Sequence, residues 1–294
     1  MNVAIAGYGN LGKALEKQIS KRTDMRLTHV FSRRDIGLPT RRTFTETPLI
    51  GDVDVCFLAL GSYNDISQNI EYFRHFNTVD CFDNHDKFVE YKTTLGSVKP
   101  DTISLVGVGW DPGILSVCRA LFCPLGDVAT VWGRGQSMGH GSALRSVDGV
   151  IDGVQFTCPV SNAAELFDKG ETRVNKLVKR LCYVACRQDR QAEIAHQIKQ
   201  MPDYFADYET DVEFVSKEEV ARLRQDNSHC GTVYAKGTFH HAELRLDVTS
   251  NADFTAAIMI NCALAIPKLA QDGYKGAYDP LDIPLRYFCP KTVI

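Results

Sequence analysis

Apolar residues at positions 3–6 form a short run that stops at Gly7, and Ala14, Leu15 and Ile19 then recur at helical spacing through about residue 21. This predicts a strand, a turn and a helix, because strand side chains alternate between faces while helical ones return after about 3.6 residues. Residues 26–31 alternate, 53–60 lean apolar throughout, and 78–82 and 103–108 repeat that pattern, with helices predicted at 63–76 and 85–96. Strands alternating with helices build βαβ units, hence a parallel sheet covered on both faces.

After Trp110-Asp111-Pro112-Gly113 the pattern changes. A helix at 114–122 is followed by strands with clearer two-residue alternation at 129–133, 154–158, 181–186, 212–215, 232–235 and 241–248, and helices at 142–150, 190–200 and 217–224 fall between them. Alternation of this kind implies a sheet with one solvated or partner-facing side, and therefore an α+β domain. A long apolar helix is predicted from Asn251, its N-cap, to about residue 270, packing back on the first domain. The expected division is 1–118 plus 250–294 for one domain and 119–249 for the other.

The 294 residues, 44% hydrophobic and 23% charged, describe a globular chain of about two domains rather than a disordered or fibrous one. Thirty-three Lys and Arg against 36 Asp and Glu leave a net charge of −3, without the basic excess of a protein that grips nucleic acid. Ten scattered cysteines with no CxxC pair are expected to be free thiols in a reducing cytoplasm, with no metal site. The N-terminus has no secretory pattern, and no run is expected to reach the ~18 apolar residues of a membrane helix.

Gly7-Tyr8-Gly9-Asn10-Leu11-Gly12 is G-x-G-x-x-G after a strand and at the opening of a helix, where the alternative is a bare glycine-rich turn. In that context the first glycine permits the turn, the second lets backbone amides approach a pyrophosphate, and the third lets helix and strand pack closely. A Rossmann-like, doubly wound dinucleotide-binding domain is expected. The second strand ends Phe31-Ser32-Arg33-Arg34, and a carboxylate appears only at Asp35. Two guanidiniums and a hydroxyl suit a 2′-phosphate, so NADP(H) is the expected cofactor, against the alternative of a solvated basic turn. Ligands in such a fold bind beyond the carboxyl ends of the strands, where Asp83 and Asp111 fall. Either acid could be a helix cap, with Pro112 in the first helical position after Asp111. As a pair they could hold a substrate ammonium and accept its proton.

The motifs GYGNLG (7–12), FSRR (31–34), LGS (60–62), FDNH (82–85), GWDPG (109–113), WGRGQSMGHG (132–141), MPDYF (201–205) and SNADFTA (250–256) lie in an order that resembles the meso-diaminopimelate dehydrogenase family over nearly the whole chain. The resemblance implies reversible NADP-dependent oxidative deamination at the D-configured carbon of meso-2,6-diaminopimelate, giving L-2-amino-6-oxopimelate and ammonia, in bacterial lysine and cell-wall precursor metabolism. It implies that Asp83 and Asp111 hold the reacting ammonium, that Trp110 and Trp132 wall the pocket, and that the backbone at Met138 and Gly139 approaches the substrate. Thr157, Arg180, His229 and Asn251 would read the distal L-centre, Gly61 and Ser62 would join the cofactor site, and the second domain would bind substrate and form a homodimer. Cys230 stands where the family pattern has glycine, and Arg134 where it has proline. The alternatives are an NADP-dependent D-amino acid dehydrogenase or reductase of different substrate, and an NADP-binding redox sensor without turnover.

Overall fold

A computed structural model describes residues 1–43, 52–61, 66–84, 87–98 and 101–288. The chain divides into two compact units, Met1–Val117 with Ala252–Ile294, and Cys118–Asn251.

The first unit is a seven-stranded sheet with helices on both faces. Its elements are β1 (Asn2–Ala6), α1 (Asn10–Ile19), β2 (Arg26–Phe31), β3 (Arg41–Arg42), β4 (Val55–Leu58), α2 (Ile66–His75), β5 (Thr78–Asp80), α3 (Phe88–Ser97) and β6 (Ile103–Leu105). All seven strands run parallel, in the order β14-β6-β5-β4-β1-β2-β3, where β14 is Gly276–Tyr278 from the end of the chain. Alternation within β1 shows why both faces are covered. Val3 and Ile5 pack with Leu15 and Ile19 of α1, whereas Ala4 and Ala6 join Phe31, Cys56, Tyr72 and Phe76 on the other side. The chain winds from β1 toward β3 on one side and from β4 toward β6 on the other, so the strand order reverses between β1 and β4, the place beyond whose carboxyl ends such sheets bind ligands.

The chain passes into the second unit within α4 (Leu115–Phe122). There follow β7 (Asp127–Trp132), β8 (Gly135–Gln136), α5 (Met138–Ser146), β9 (Val150–Pro159), α6 (Ala163–Asp168), α7 (Val174–Leu177), β10 (Val178–Cys186), α8 (Gln191–Lys199), β11 (Glu209–Phe214), α9 (Lys217–Leu223), β12 (His229–Lys236) and β13 (His241–Val248). They form two sheets, β11-β10-β9-β8 and β13-β12-β7. The solvated face expected from the alternation exists on β13, where His241, Glu243, Arg245 and Asp247 are exposed. The four-stranded sheet differs. Leu144, Ile194 and Ile198 pack on one of its faces and Val220 on the other, so alternation there divides two cores rather than core from solvent.

Other expectations are corrected. The helix expected at 142–150 starts at Met138 and ends at Ser146, because Ser137 caps it by accepting the His140 amide at 3.4 Å. The helix expected to run unbroken from residue 251 is α10 (Asn251–Ala263) followed by α11 (Ile266–Gln271). Pro267 explains the break, since proline lacks the amide hydrogen and collides with the carbonyl four residues back. Asn251 is the first helical residue rather than the cap. The combined stretch of 21 residues is long and apolar enough to cross a membrane, contrary to the sequence expectation. Half of its apolar window is buried, with Met259, Ile260, Ile266 and Leu269 in the core of the first unit. All nine described cysteines, Cys56 to Cys262, are free thiols.

Candidate active site

The three glycines of the first turn have different physical grounds. Gly7 has φ +93°, and a Cβ there would lie 2.5 Å from the Ala59 carbonyl oxygen. A Cβ at Gly12 would lie 2.2 Å from the Gly7 carbonyl oxygen. At Gly9 a Cβ would meet nothing within 4 Å among the described residues, so packing gives no reason for glycine there. Gly9 is the N-cap of α1, whose first turn holds no acidic residue and no side-chain cap. Asn10 and Leu11 open this helix, and its first amides, at the positive end of the helix dipole, could hold a dinucleotide pyrophosphate. The Tyr8 hydroxyl donates to the Glu16 carboxylate, and that bond, with burial, pushes Tyr8 up to about 12.

The end of β2 is more cationic than its two expected arginines. The Ser32 hydroxyl donates to the Arg34 carbonyl at 3.1 Å, and Arg34 Nη2 reaches the Tyr8 carbonyl at 3.4 Å, beside the glycine turn. Arg41, on the short parallel strand β3, donates to the carbonyls of Ser32 at 3.1 Å and Arg33 at 3.3 Å. Arg41 and Arg42 therefore join Arg33 and Arg34 in one corner, whereas Asp35 accepts the Gly37 amide at 3.0 Å within its own turn. This group could hold a 2′-phosphate. Gly61 lies three residues past β4, and Ser62 falls outside the described residues.

Asp83 and Asp111 follow adjacent parallel strands, β5 and β6. Asp83 is exposed, and Asn84 Oδ1 accepts the Lys87 amide at 3.2 Å in the turn before α3, whose own N-cap, Lys87, makes no side-chain capping bond. Asp111 is 9% exposed, with φ −155° and a cis bond to Pro112. Because α4 begins only at Leu115, Pro112 does not take the first helical position and Asp111 does not cap it. The Ser116 hydroxyl lies 3.4 Å from Asp111 Oδ1, and half-buried Trp110 precedes it.

The second unit gathers most of the residues expected at the distal end. Thr157 on β9 and Arg180 on β10 are direct register partners, and Arg180 Nη1 donates to the Thr157 hydroxyl. Gly135 pairs with Thr157 from the other side, and a Cβ on Gly135 would lie 2.8 Å from the His229 ring. His229 Nε2 is 2.9 Å from the Gln136 carbonyl, and burial holds its pKa below the usual histidine range. The Asn251 amide donates to the Asn227 carbonyl at 3.0 Å, two residues before His229. Trp132 ends β7 opposite Gly231, Met138 opens α5, and Gly139 is exposed with open space at its Cβ position. Arg134 does not line this group: its guanidinium lies 3.9 Å from the Phe156 ring centre and 3.7 Å from Asp226, on the face of β9 opposite Thr157.

Arg180 is the outstanding charge here. It is 4% exposed, its guanidinium lies 3.9 Å from the Tyr208 ring centre, and its Nε–H has no acceptor among the described residues. Among the described residues no carboxylate pairs with it, and burial pulls its pKa down. Tyr208, Arg41 and buried Asp80 adjoin the candidate residues Arg180, Ser32 with Arg33, and Asp83 respectively, and motif spacing did not single them out. Only cross-strand register and packing reveal them. Among the described residues no group of three His, Cys, Asp or Glu side chains could hold a metal.

Residues 109–250 match the family profile of the diaminopimelic acid dehydrogenase C-terminal domain. The chain is 36% identical to the meso-diaminopimelate D-dehydrogenase of Acetivibrio thermocellus, with 99% of this chain and 95% of that protein covered. It is similar to the Corynebacterium glutamicum DAP dehydrogenase solved in complex with DAP, at TM-score 0.91 and 33% identity, covering 99% and 96% of the two chains. An engineered D-amino acid dehydrogenase bound to NADP+ matches at TM-score 0.85 and 30% identity, covering 100% and 97%. With its glycine turn, its strand-end acids and this full-length similarity, the chain belongs to the meso-diaminopimelate D-dehydrogenase family.

Proposed function

We propose that this chain catalyses the reversible NADP-dependent oxidative deamination of the D-centre of meso-2,6-diaminopimelate to L-2-amino-6-oxopimelate and ammonia. The observation that carries the diacid substrate is Arg180, a buried guanidinium that among the described residues has no carboxylate partner and no acceptor for its Nε–H. A buried charge is unfavourable unless paired, so the site is complementary to a carboxylate that arrives with the substrate. The family membership carries the reaction and the cofactor.

In this assignment the first unit binds the dinucleotide. The α1 amides and Gly9 take the pyrophosphate, Ser32, Arg33 and Arg34 take the 2′-phosphate, and Gly61 and Ser62 flank the cofactor. NADP+ held by these residues would supply the acceptor for the hydride of the D-centre Cα–H. Asp83 and Asp111 hold the reacting ammonium and take up the proton it must lose before the C=N bond forms. Water then adds to the imine carbon and ammonia leaves. Trp110 and Trp132 exclude solvent, and the Met138–Gly139 backbone contacts the substrate. Thr157, Arg180, His229 and Asn251 read the distal ammonium and carboxylate, which makes a meso compound asymmetric to the protein. Holding a seven-carbon diacid at both ends contributes orientation, worth up to ~7–11 kcal/mol in well-aligned systems.

We further infer a cytoplasmic homodimer formed through the second unit, with neither nucleic acid nor membrane as a partner; closed two-fold dimers are the commonest soluble assemblies. Light scattering at micromolar concentration should give twice the chain mass, and a monomer mass refutes the dimer. The activity is tested by following NADPH formation with meso-, LL- and DD-diaminopimelate beside simple D-amino acids. Turnover is expected with the meso compound, weaker with the DD isomer and absent with the LL isomer. Equal turnover of D-alanine would remove the diacid assignment, and no NADPH with any of them would remove the activity.

A further inference from the structure

Asp80, the last residue of β5, is 2% exposed, yet both of its carboxylate oxygens are engaged. Oδ1 accepts the backbone amide of Phe82, and Oδ2 accepts the Tyr91 hydroxyl of α3 at 2.5 Å. The Phe82 and Tyr91 rings stack with centroids 4.1 Å apart and planes 21° from parallel, which fixes the hydroxyl against the carboxylate. The Asp80 carbonyl accepts the Val108 amide at 2.8 Å. Two chain segments are therefore tied at this residue. The Phe82 bond sets the turn by which the chain leaves β5 toward Asp83, and the Val108 bond joins that turn to the segment leading to Asp111. Burial pushes the Asp80 carboxyl up to about 6, with the charge of Asp83 adding to it, so an ionised group is kept at an unfavourable place. An aliphatic residue would suffice to fill the space beside Phe82 and Tyr91. What it could not do is bind two donors on two oxygens at once.

We propose that Asp80, braced by Tyr91, is a positioning residue that sets the geometry of the Asp83 and Asp111 carboxylates. This rests on those two acids acting on the reacting amine. Asp80 touches neither substrate nor cofactor in this role; it acts through the backbone of both loops.

The test compares full-length Asp80→Ala, Asp80→Asn and Tyr91→Phe with Asp83→Asn and Asp111→Asn, measuring turnover and KM for meso-diaminopimelate. Binding of 2′,5′-ADP by calorimetry and the thermal midpoint are measured on each. Asp80→Ala is expected to lower turnover by about tenfold to a hundredfold, the size of effect that displacement of reacting groups produces. Affinity for 2′,5′-ADP should stay within about twofold, because the cofactor corner lies on other strands. Asp80→Asn keeps an acceptor for Phe82 and should restore most of the turnover. Tyr91→Phe, which keeps the ring stack, should lose about threefold to tenfold, and it carries the test if Asp80→Ala does not fold. A lower thermal midpoint with wild-type turnover in Tyr91→Phe and in folded Asp80→Ala would overturn the proposal, as would loss of turnover and 2′,5′-ADP binding in equal measure. Wild-type turnover in Asp83→Asn and Asp111→Asn would instead overturn the acid-pair assignment beneath it.

Discussion

The two units build their sites by different routes. In the first, candidate residues follow strand ends: Gly7 to Gly12 after β1, Ser32 to Arg34 after β2, Asp83 after β5 and Asp111 after β6. A parallel sheet places all these ends along one edge, so position in the chain almost dictates position in the site. In the second, Thr157 and Arg180 lie within antiparallel strands rather than beyond their ends, and meet only because β9 and β10 pair in one register. A slip of one residue would move Arg180 to the other face of the sheet. A site beyond strand ends is thus robust to register and sensitive to loops, whereas one built within paired strands has the opposite dependence.

The largest effect should come from the acids. Asp111→Asn is expected to lower turnover by about 10²–10⁴-fold with a small change in KM, as when a proton-accepting group is removed. Arg180→Met should act the other way: KM for meso-diaminopimelate rises by about thirtyfold or more while D-alanine is unaffected, since a buried charge partner is worth ~2–5 kcal/mol. If Arg180→Met lowers turnover and leaves KM unchanged, the division of labour between the units fails. Replacing Arg33 and Arg34 together by Ala should weaken NADP+ by about a hundredfold and NAD+ little, at ~1.5–3 kcal/mol per charge-assisted bond. Equal loss for both cofactors would assign the arginines to a solvated turn.

Two further measurements concern stability. The Asp80 carboxyl, held at about 6 in the fold, lies above its unfolded value of about 3.9, so the folded state binds this proton more tightly. Wild type should gain roughly 2–3 kcal/mol of unfolding free energy relative to Asp80→Asn as the pH falls from about 7 to about 4, and lose it again as the pH rises through about 6. Urea unfolding at the two pH values checks the sign. The smallest effect separates the glycines. Gly12→Ala should cost ~1–3 kcal/mol through overlap with the Gly7 carbonyl, whereas Gly9→Ala should keep the thermal midpoint and weaken NADP+. A destabilised Gly9→Ala would show that packing, not a ligand, requires that glycine.

Local chemistry along the chain was enough for most of the elements and for naming the candidate residues of the first unit. The run at residues 3–6, the glycine turn and the Ser-Arg-Arg strand end each contain their own physical cause: a period of two, a positive φ, and charge beside a hydroxyl. Two-residue strands β3 and β8 were not visible, because pairing with a neighbour rather than any pattern of their own makes them strands. Nor was the turn at Asn84, whose Oδ1 accepts the Lys87 amide before α3. Pro112 suggested a helix start by its statistics, but here the Asp111–Pro112 bond is cis and the helix begins three residues later.

Arg180 marks the boundary most clearly. In the chain it ends Lys176-Leu177-Val178-Lys179-Arg180, indistinguishable from a solvated basic run, and Lys179 beside it indeed pairs with Asp211 at 2.8 Å. Alternation sends the two cations to opposite faces of β10: one toward an acid on the next strand, the other into the interior against Thr157 and Tyr208. Residue types, strand tendencies and the glycine turn follow from short-range sterics and so are written locally. Which of two adjacent cations is buried depends on β9, β10 and Tyr208 meeting across long stretches of chain. That is a matter of sheet register and packing, and only the folded structure decides it.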